Sequence, residues 1–159
     1  MTTKILIPTD FHVESLNTLK LAINHLETYE VDVVLMYAQD LGNSITDLLF
    51  YNPKKLVESL RTKEFDEALS ILKNRFETRI KSISYEIFHG YRVKLMEDFI
   101  ESKKIDSIFL PKSYHLQMSK NGFDTIPLIK KSKLTYKELD WETGAYDSEE
   151  LQLNALFIY

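Results

Sequence analysis

The chain has 159 residues, 44% of them hydrophobic and 28% charged, with a net charge of -4 and no cysteine. That length fits one domain with a core of its own. Without cysteine there are no disulfides, thiolate nucleophiles or cysteine zinc sites, and the interspersed charges form no basic face for nucleic acid.

In chain order, "KILIPT" is a short run of consecutive apolar residues, which predicts a buried strand rather than a half-exposed one. Leu16, Leu19, Ile23 and Leu26 follow at helical spacing, with Thr9 or Asp10 as candidate caps for the segment leading in. "VDVVLMYA", 31 to 38, is the second strand, and 39 to 52 reads as irregular. From Pro53 a long helical pattern runs through Leu56, Leu60, Phe65, Leu69, Leu72, Phe76 and Ile80, its other face charged and solvated.

"ISYEIFHG" is the third strand, closed by Gly90, and "YRVKLMEDFIESKK" is a helix turning Met96, Phe99 and Ile100 inward. "DSIFLP" is the fourth strand, and "TIPLIKKS" predicts a short helix. In residues 134 to 159, "NALFIY" has the composition of a last strand, while Asp147 with Glu150 resembles a capping box.

Alternating strands and helices imply an α/β fold: a doubly wound, parallel five-stranded sheet, order 3-2-1-4-5, with helices on both faces. Ligands of such sheets sit beyond the carboxyl ends of the strands, where the order reverses. That topology brings Pro8, Thr9 and Asp10, at the end of strand one, against the segment after strand four. The short apolar run of "MTTKILIPTD" does not fit a signal peptide, and no stretch is long and apolar enough to cross a bilayer. A cytoplasmic setting is expected.

"ILIPTDF" followed by "ESLNTLKLAINHL", then "VDVVLMYAQD", "EIFHG" and "IDSIFLP", resembles the universal stress protein family over about residues 3 to 132. In nucleotide-binding members the fourth strand enters a loop of pattern G-x-x-G, nine residues, then G-S or G-T. The resemblance implies that Asp10 and Ala38 face the nucleoside. It also sets Pro111 and Tyr114 on the first two glycines, with Lys112 and Ser113 between them, and Asp124 and Thr125 on the closing pair.

The spacing is kept and all three glycines are gone. Pro111 has no amide hydrogen to donate, Tyr114 puts a ring where backbone should approach phosphate, and Asp124 adds a like charge. Two such charges 4 Å apart repel by ~4 kcal/mol at an effective dielectric of about 20. The expectation is therefore a stress-response domain that does not bind ATP, is not an enzyme, and acts through homodimerisation and contacts with an unidentified protein partner. Neither a metal nor another cofactor is expected.

A sensor with a re-lined crevice between strands one and four is the alternative, using Asp10, Lys112, Ser113 and Thr125. A crevice filled by Tyr114 and Phe123 would count against it. A hydrolase of nucleotides or phosphate esters lacks a recognisable base, metal set or glycine cradle. His12, His115 and Asp10 have no motif-grade spacing for a metal.

Overall fold

In the computed structural model, residues 2–26, 30–42, 45–119 and 121–141 are described. Five strands form one parallel sheet: β1 (Thr2–Pro8), β2 (Glu30–Ala38), β3 (Ile80–Phe88), β4 (Ser107–Pro111) and β5 (Tyr136–Leu139). Their order is β3-β2-β1-β4-β5, as the alternation of elements predicts. The helices are α1 (Leu16–His25), α2 (Ile45–Leu49), α3 (Pro53–Leu60), α4 (Lys63–Arg75), α5 (Val93–Ser102) and α6 (Ile126–Lys131).

The uninterrupted apolar runs of the central strands follow from burial on two faces. Ile5, Ile7, Val33, Leu35, Tyr37 and Phe109 pack under α1, α3 and α4. Their neighbours Leu6, Val34, Met36, Ala38, Ile108 and Leu110 pack under α5 and α6. Side chains alternate across a strand, so each layer takes every second residue and the sequence shows no gap.

Three readings are corrected or left open. The segment 39 to 52 contains a helix, α2. The long helical pattern is two helices, because Thr62 accepts from the Phe65 amide at 3.1 Å and starts α4 afresh. Ile80 belongs to β3, not to a helix. The fifth strand described is Tyr136–Leu139, and both readings of the tail, "NALFIY" as a strand and the Asp147–Glu150 capping box, lie outside the described residues.

Two long-range contacts lock the frame. The Arg79 guanidinium donates to the Ile23 carbonyl at 3.1 Å and also to that of Leu26, serving the carboxyl end of α1. At the same amino end of the strands, Asp106 accepts from the Lys4 amide at 2.8 Å and aligns β4 beside β1. No helix among the described residues is long and apolar enough to cross a membrane.

Candidate functional site

β1 ends at Pro8, and the chain turns sharply through Thr9, Asp10 and Phe11. Phe11 has φ of 61°, the left-handed region that bulky residues seldom adopt. Two side-chain bonds hold it there. Thr9 Oγ1 accepts from the Phe11 amide at 3.0 Å, and Asp10 Oδ1 accepts from the His12 amide at 2.9 Å. Ser15 Oγ gives its proton to the His12 carbonyl, which leaves Thr9 to donate to Ser15. The Phe11 ring goes into the core between Tyr37, Phe65 and Tyr85, with centroids 5.4 to 5.7 Å away.

Turning Phe11 inward sends Asp10 the other way, across to the loop after β4. Asp10 is 4% exposed. Its Oδ2 accepts from the Gln117 amide at 2.8 Å and from the Tyr114 hydroxyl. With His12 on Oδ1, three donors surround one buried carboxylate. Burial first, and then the hydrogen bond to Asp10, push the Tyr114 hydroxyl well above the usual phenol range, so it stays a donor. The Tyr114 ring stacks on Trp141 at 4.5 Å, and the Trp141 indole donates to Thr18 of α1 at 3.0 Å.

The rest of the loop folds back over β2. The Phe123 amide donates to the Ala38 carbonyl at 3.1 Å and the Asp40 amide to the Asn121 carbonyl at 2.7 Å. Gly122 forms an antiparallel bridge with Gln39. A Cβ at Gly122 would lie 2.3 Å from the Tyr37 hydroxyl, so this glycine lets the loop close on Tyr37. That hydroxyl is buried and has no hydrogen-bond partner among the described residues. Asp124 Oδ1 accepts from the Ile126 amide at 2.8 Å and starts α6. Burial raises its carboxyl above the usual range, and the Ile126 amide works against that rise.

Of the residues singled out from sequence, Pro8, Thr9, Asp10, Pro111, Tyr114 and Thr125 collect around this junction or are buried in its walls. Ala38 is buried and serves through its carbonyl. Lys112 and Ser113 are exposed, the Lys112 amide bonding the Leu139 carbonyl of β5 at 3.0 Å. His12 and His115 are both exposed and no hydrogen bond joins them. Phe123 lies apart from Tyr114, against Tyr91 at 4.6 Å and Phe88 at 6.5 Å. Among the described residues no group of three or more His, Asp or Glu is arranged to hold a metal.

Gln117, Tyr37 and Trp141 were not foreseen. Gln117 acts through its backbone, which sequence does not mark, and Trp141 meets Tyr114 only because β5 runs beside β4. The single tryptophan after a short polar strand was the one available signal.

A second polar junction lies at the end of β3. His89 Nδ1 is 2.7 Å from the Gln39 carbonyl, so it must be the donor there, and Nε2, 2.6 Å from the Tyr51 hydroxyl, accepts. This contact ties the chain after α2 to the sheet. Beside it lies an open groove of about 470 Å³ lined by Asp40, Thr46, Phe50, Lys55 and Leu56, among others.

No family model matches the chain. It is 31% identical over 107 residues to a universal stress protein of Methanocaldococcus jannaschii, covering 67% of this chain and 62% of that protein. The chain thus spans less than two thirds of that relative's length. Two solved structures share the fold. A crystal structure of a hypothetical protein has a TM-score of 0.52 at 21% identity, covering 87% of this chain and 95% of that one. The universal stress protein UspA from Lactobacillus plantarum has a TM-score of 0.50 at 16% identity, covering 87% and 96%. The sheet order and the helices on both faces are the α/β fold of these solved structures, and over two thirds of its length the chain is similar in sequence to the archaeal universal stress protein.

Proposed function

We propose that this chain is a regulatory universal-stress-type domain that does not bind ATP, performs no catalysis, and acts through homodimerisation and contacts with another protein. The observation that carries this reading is the state of Asp10. Its carboxylate, which the family resemblance sets against the nucleoside, already accepts from Tyr114, Gln117 and His12. A nucleotide would have to break the Tyr114 bond and displace a ring stacked on Trp141. Removing one partner of a buried charged hydrogen bond costs about 1.5–3 kcal/mol. The missing loop glycines add to that cost, since Pro111 supplies no amide and Gly122 is taken up by Tyr37.

Dimerisation is supported by the outer edge of β5, which has no neighbouring strand among the described residues. A free edge with hydrogen-bonding groups is a template for a second copy.

The test is thermal unfolding with Mg-ATP, other nucleotides and small anions, beside sedimentation. A ligand at 100 times its dissociation constant adds about 2.7 kcal/mol, which moves the midpoint of a domain this size by several degrees. The expected result is no shift with ATP and a dimer in sedimentation. A clear ATP shift overturns the non-binding reading, and a strict monomer overturns the dimer.

A further inference from the structure

The sheet has a second outer edge, and it is the longer one. β3 bounds the sheet on the side away from β5 and runs nine residues, against four in β5. Its register against β2 shifts once, opposite Val31 and Asp32, and is regular from Ser82 to Phe88.

The ladder tells which backbone groups of β3 are already used. The Gln39 amide donates to the Phe88 carbonyl at 3.0 Å. Along a regular strand, successive residues turn their amide and carbonyl to alternate sides. Phe88, Glu86, Ser84 and Ser82 therefore serve β2. Ile87, Tyr85 and Ile83 point theirs away from the sheet, where no strand lies among the described residues. The side chains of these three are half-buried and pack on the layer of α3 and α4. Tyr85 and Ile87 also border an open groove of about 400 Å³ beside Pro53, Val57 and Arg61.

Edges that stay single are blunted by proline, by charge along the strand or by a covering element. β3 has no proline, and Ser82, Ile83, Ser84 and Tyr85 follow one another without a charge. Its charges stand toward the two ends, Lys81 and Glu86. Lys81 makes no ion pair among the described residues, and Glu86 meets Lys103 at 3.2 Å on a partly exposed surface, where such a pair is weak.

This order of charges selects the occupant. A parallel copy of β3 would set lysine on lysine. An antiparallel copy centred on Ser84 sets Tyr85 opposite Ile83, Ser84 opposite Ser84, and Glu86 opposite Ser82, one residue from Lys81. Ile83 and Tyr85 both carry outward backbone groups, so they form the closely hydrogen-bonded pair, twice by symmetry, with an aromatic ring on a β-branched side chain. A slip of one residue would put outward groups against groups that already serve β2. Arg61, which lies over the Tyr85 ring, is bonded to Asp66 at 2.8 and 3.2 Å, so the approach of two copies brings no bare guanidinium together.

We propose that a second copy of this chain pairs antiparallel on β3, with the two-fold axis at Ser84, so that one sheet runs through both copies. Ile83 and Tyr85 form the centre of the contact, and Lys81 of each copy lies beside Glu86 of the other. The inference rests on the homodimer reading and names the surface that carries it. The β5 edge has free backbone too, over less than half the length.

The test is sedimentation of the full chain across concentration. Ile83→Pro removes an outward amide and leaves the bonds to β2, and proline is tolerated on an edge. Its dimer should be at least about a hundredfold weaker, since two central hydrogen bonds go by symmetry. Lys81→Glu and Glu86→Lys should each weaken the dimer about tenfold, through two repelling contacts. An equal mixture of these two variants should restore the parent affinity, because each supplies the charge that the other lacks. This arm decides the matter even if Ile83→Pro fails to fold. A dimer unchanged by all three variants overturns the β3 contact and leaves the homodimer reading standing on another surface. A parent that is strictly monomeric overturns both. Weakening without restoration in the mixture overturns the antiparallel register.

Discussion

Two turns at the carboxyl end of the sheet have opposite designs. After β1 the chain turns inward: Phe11 is 3% exposed, Asp10 is 4% exposed, and both oxygens of the carboxylate are engaged. After β2 the chain turns outward, and Phe50 stands 80% exposed on a segment fastened at both ends. The same end of one sheet thus carries a closed junction, where a ligand would have to compete with the protein's own groups, and an open apolar platform. Among the described residues the exposed apolar side chains gather at the second turn, while the crevice that strand order singles out is filled by the protein's own hydrogen bonds.

The largest expected effect tests the closed side. Phe11→Ala removes a ring packed on Tyr37, Phe65 and Tyr85, and should cost about 3–4 kcal/mol in equilibrium denaturation. Phe50→Ala removes the same atoms from the open side. Its cost should stay near or below about 1 kcal/mol, because Phe50 is 80% exposed and its removal leaves no cavity. Equal costs would erase the contrast between the two turns.

The next effect concerns Tyr114. Tyr114→Phe keeps the ring on Trp141 and removes one donor from Asp10, for a loss of about 1–2 kcal/mol. In a double-mutant cycle with Asp10→Asn the two changes should couple by about 1 kcal/mol, read from urea midpoints. Additive losses would mean that the contact does not hold the junction. At the break between α3 and α4, Thr62→Ala should cost about 1 kcal/mol by the same measurement, since it removes the acceptor that starts α4.

The smallest effect is a pH dependence. Burial raises the Asp124 carboxyl above its unfolded value of about 3.9. Its stabilising contribution is then complete below that value and lost as pH rises through the folded one. Asp124→Asn keeps the acceptor for Ile126 and removes the charge, so the variant should gain stability relative to the parent at pH 7. The gain should vanish below about pH 4 in thermal melts taken across pH. A gain independent of pH would place the effect elsewhere.

Much of the fold could be read from the sequence because it rests on local signals. Buried strands appear as unbroken apolar runs, and α1 and α5 appear as helical spacing. Pro53 and Pro127 lie in first helical turns, where proline is tolerated. The break at Thr62 was missed because the apolar spacing runs on across it, and only the cap separates the helices. α2 was missed because its apolar face has no described partner, so nothing distinguished it from a loop.

By itself, then, the sequence determined the order of the elements and hence the sheet, since handed crossovers leave few arrangements for alternating strands and helices. It also showed that the loop after β4 holds a single glycine, Gly122, and none at the positions the family resemblance would assign. Only the tertiary structure decided what the loop's own residues do. Tyr114 reaches Asp10 across 104 positions, Trp141 reaches Thr18 across 123, and Gly122 gives its space to Tyr37. Hydrogen bonding and stacking depend on distances that chain separation does not encode. The closed crevice and the open platform therefore emerge only once the sheet has brought their parts together.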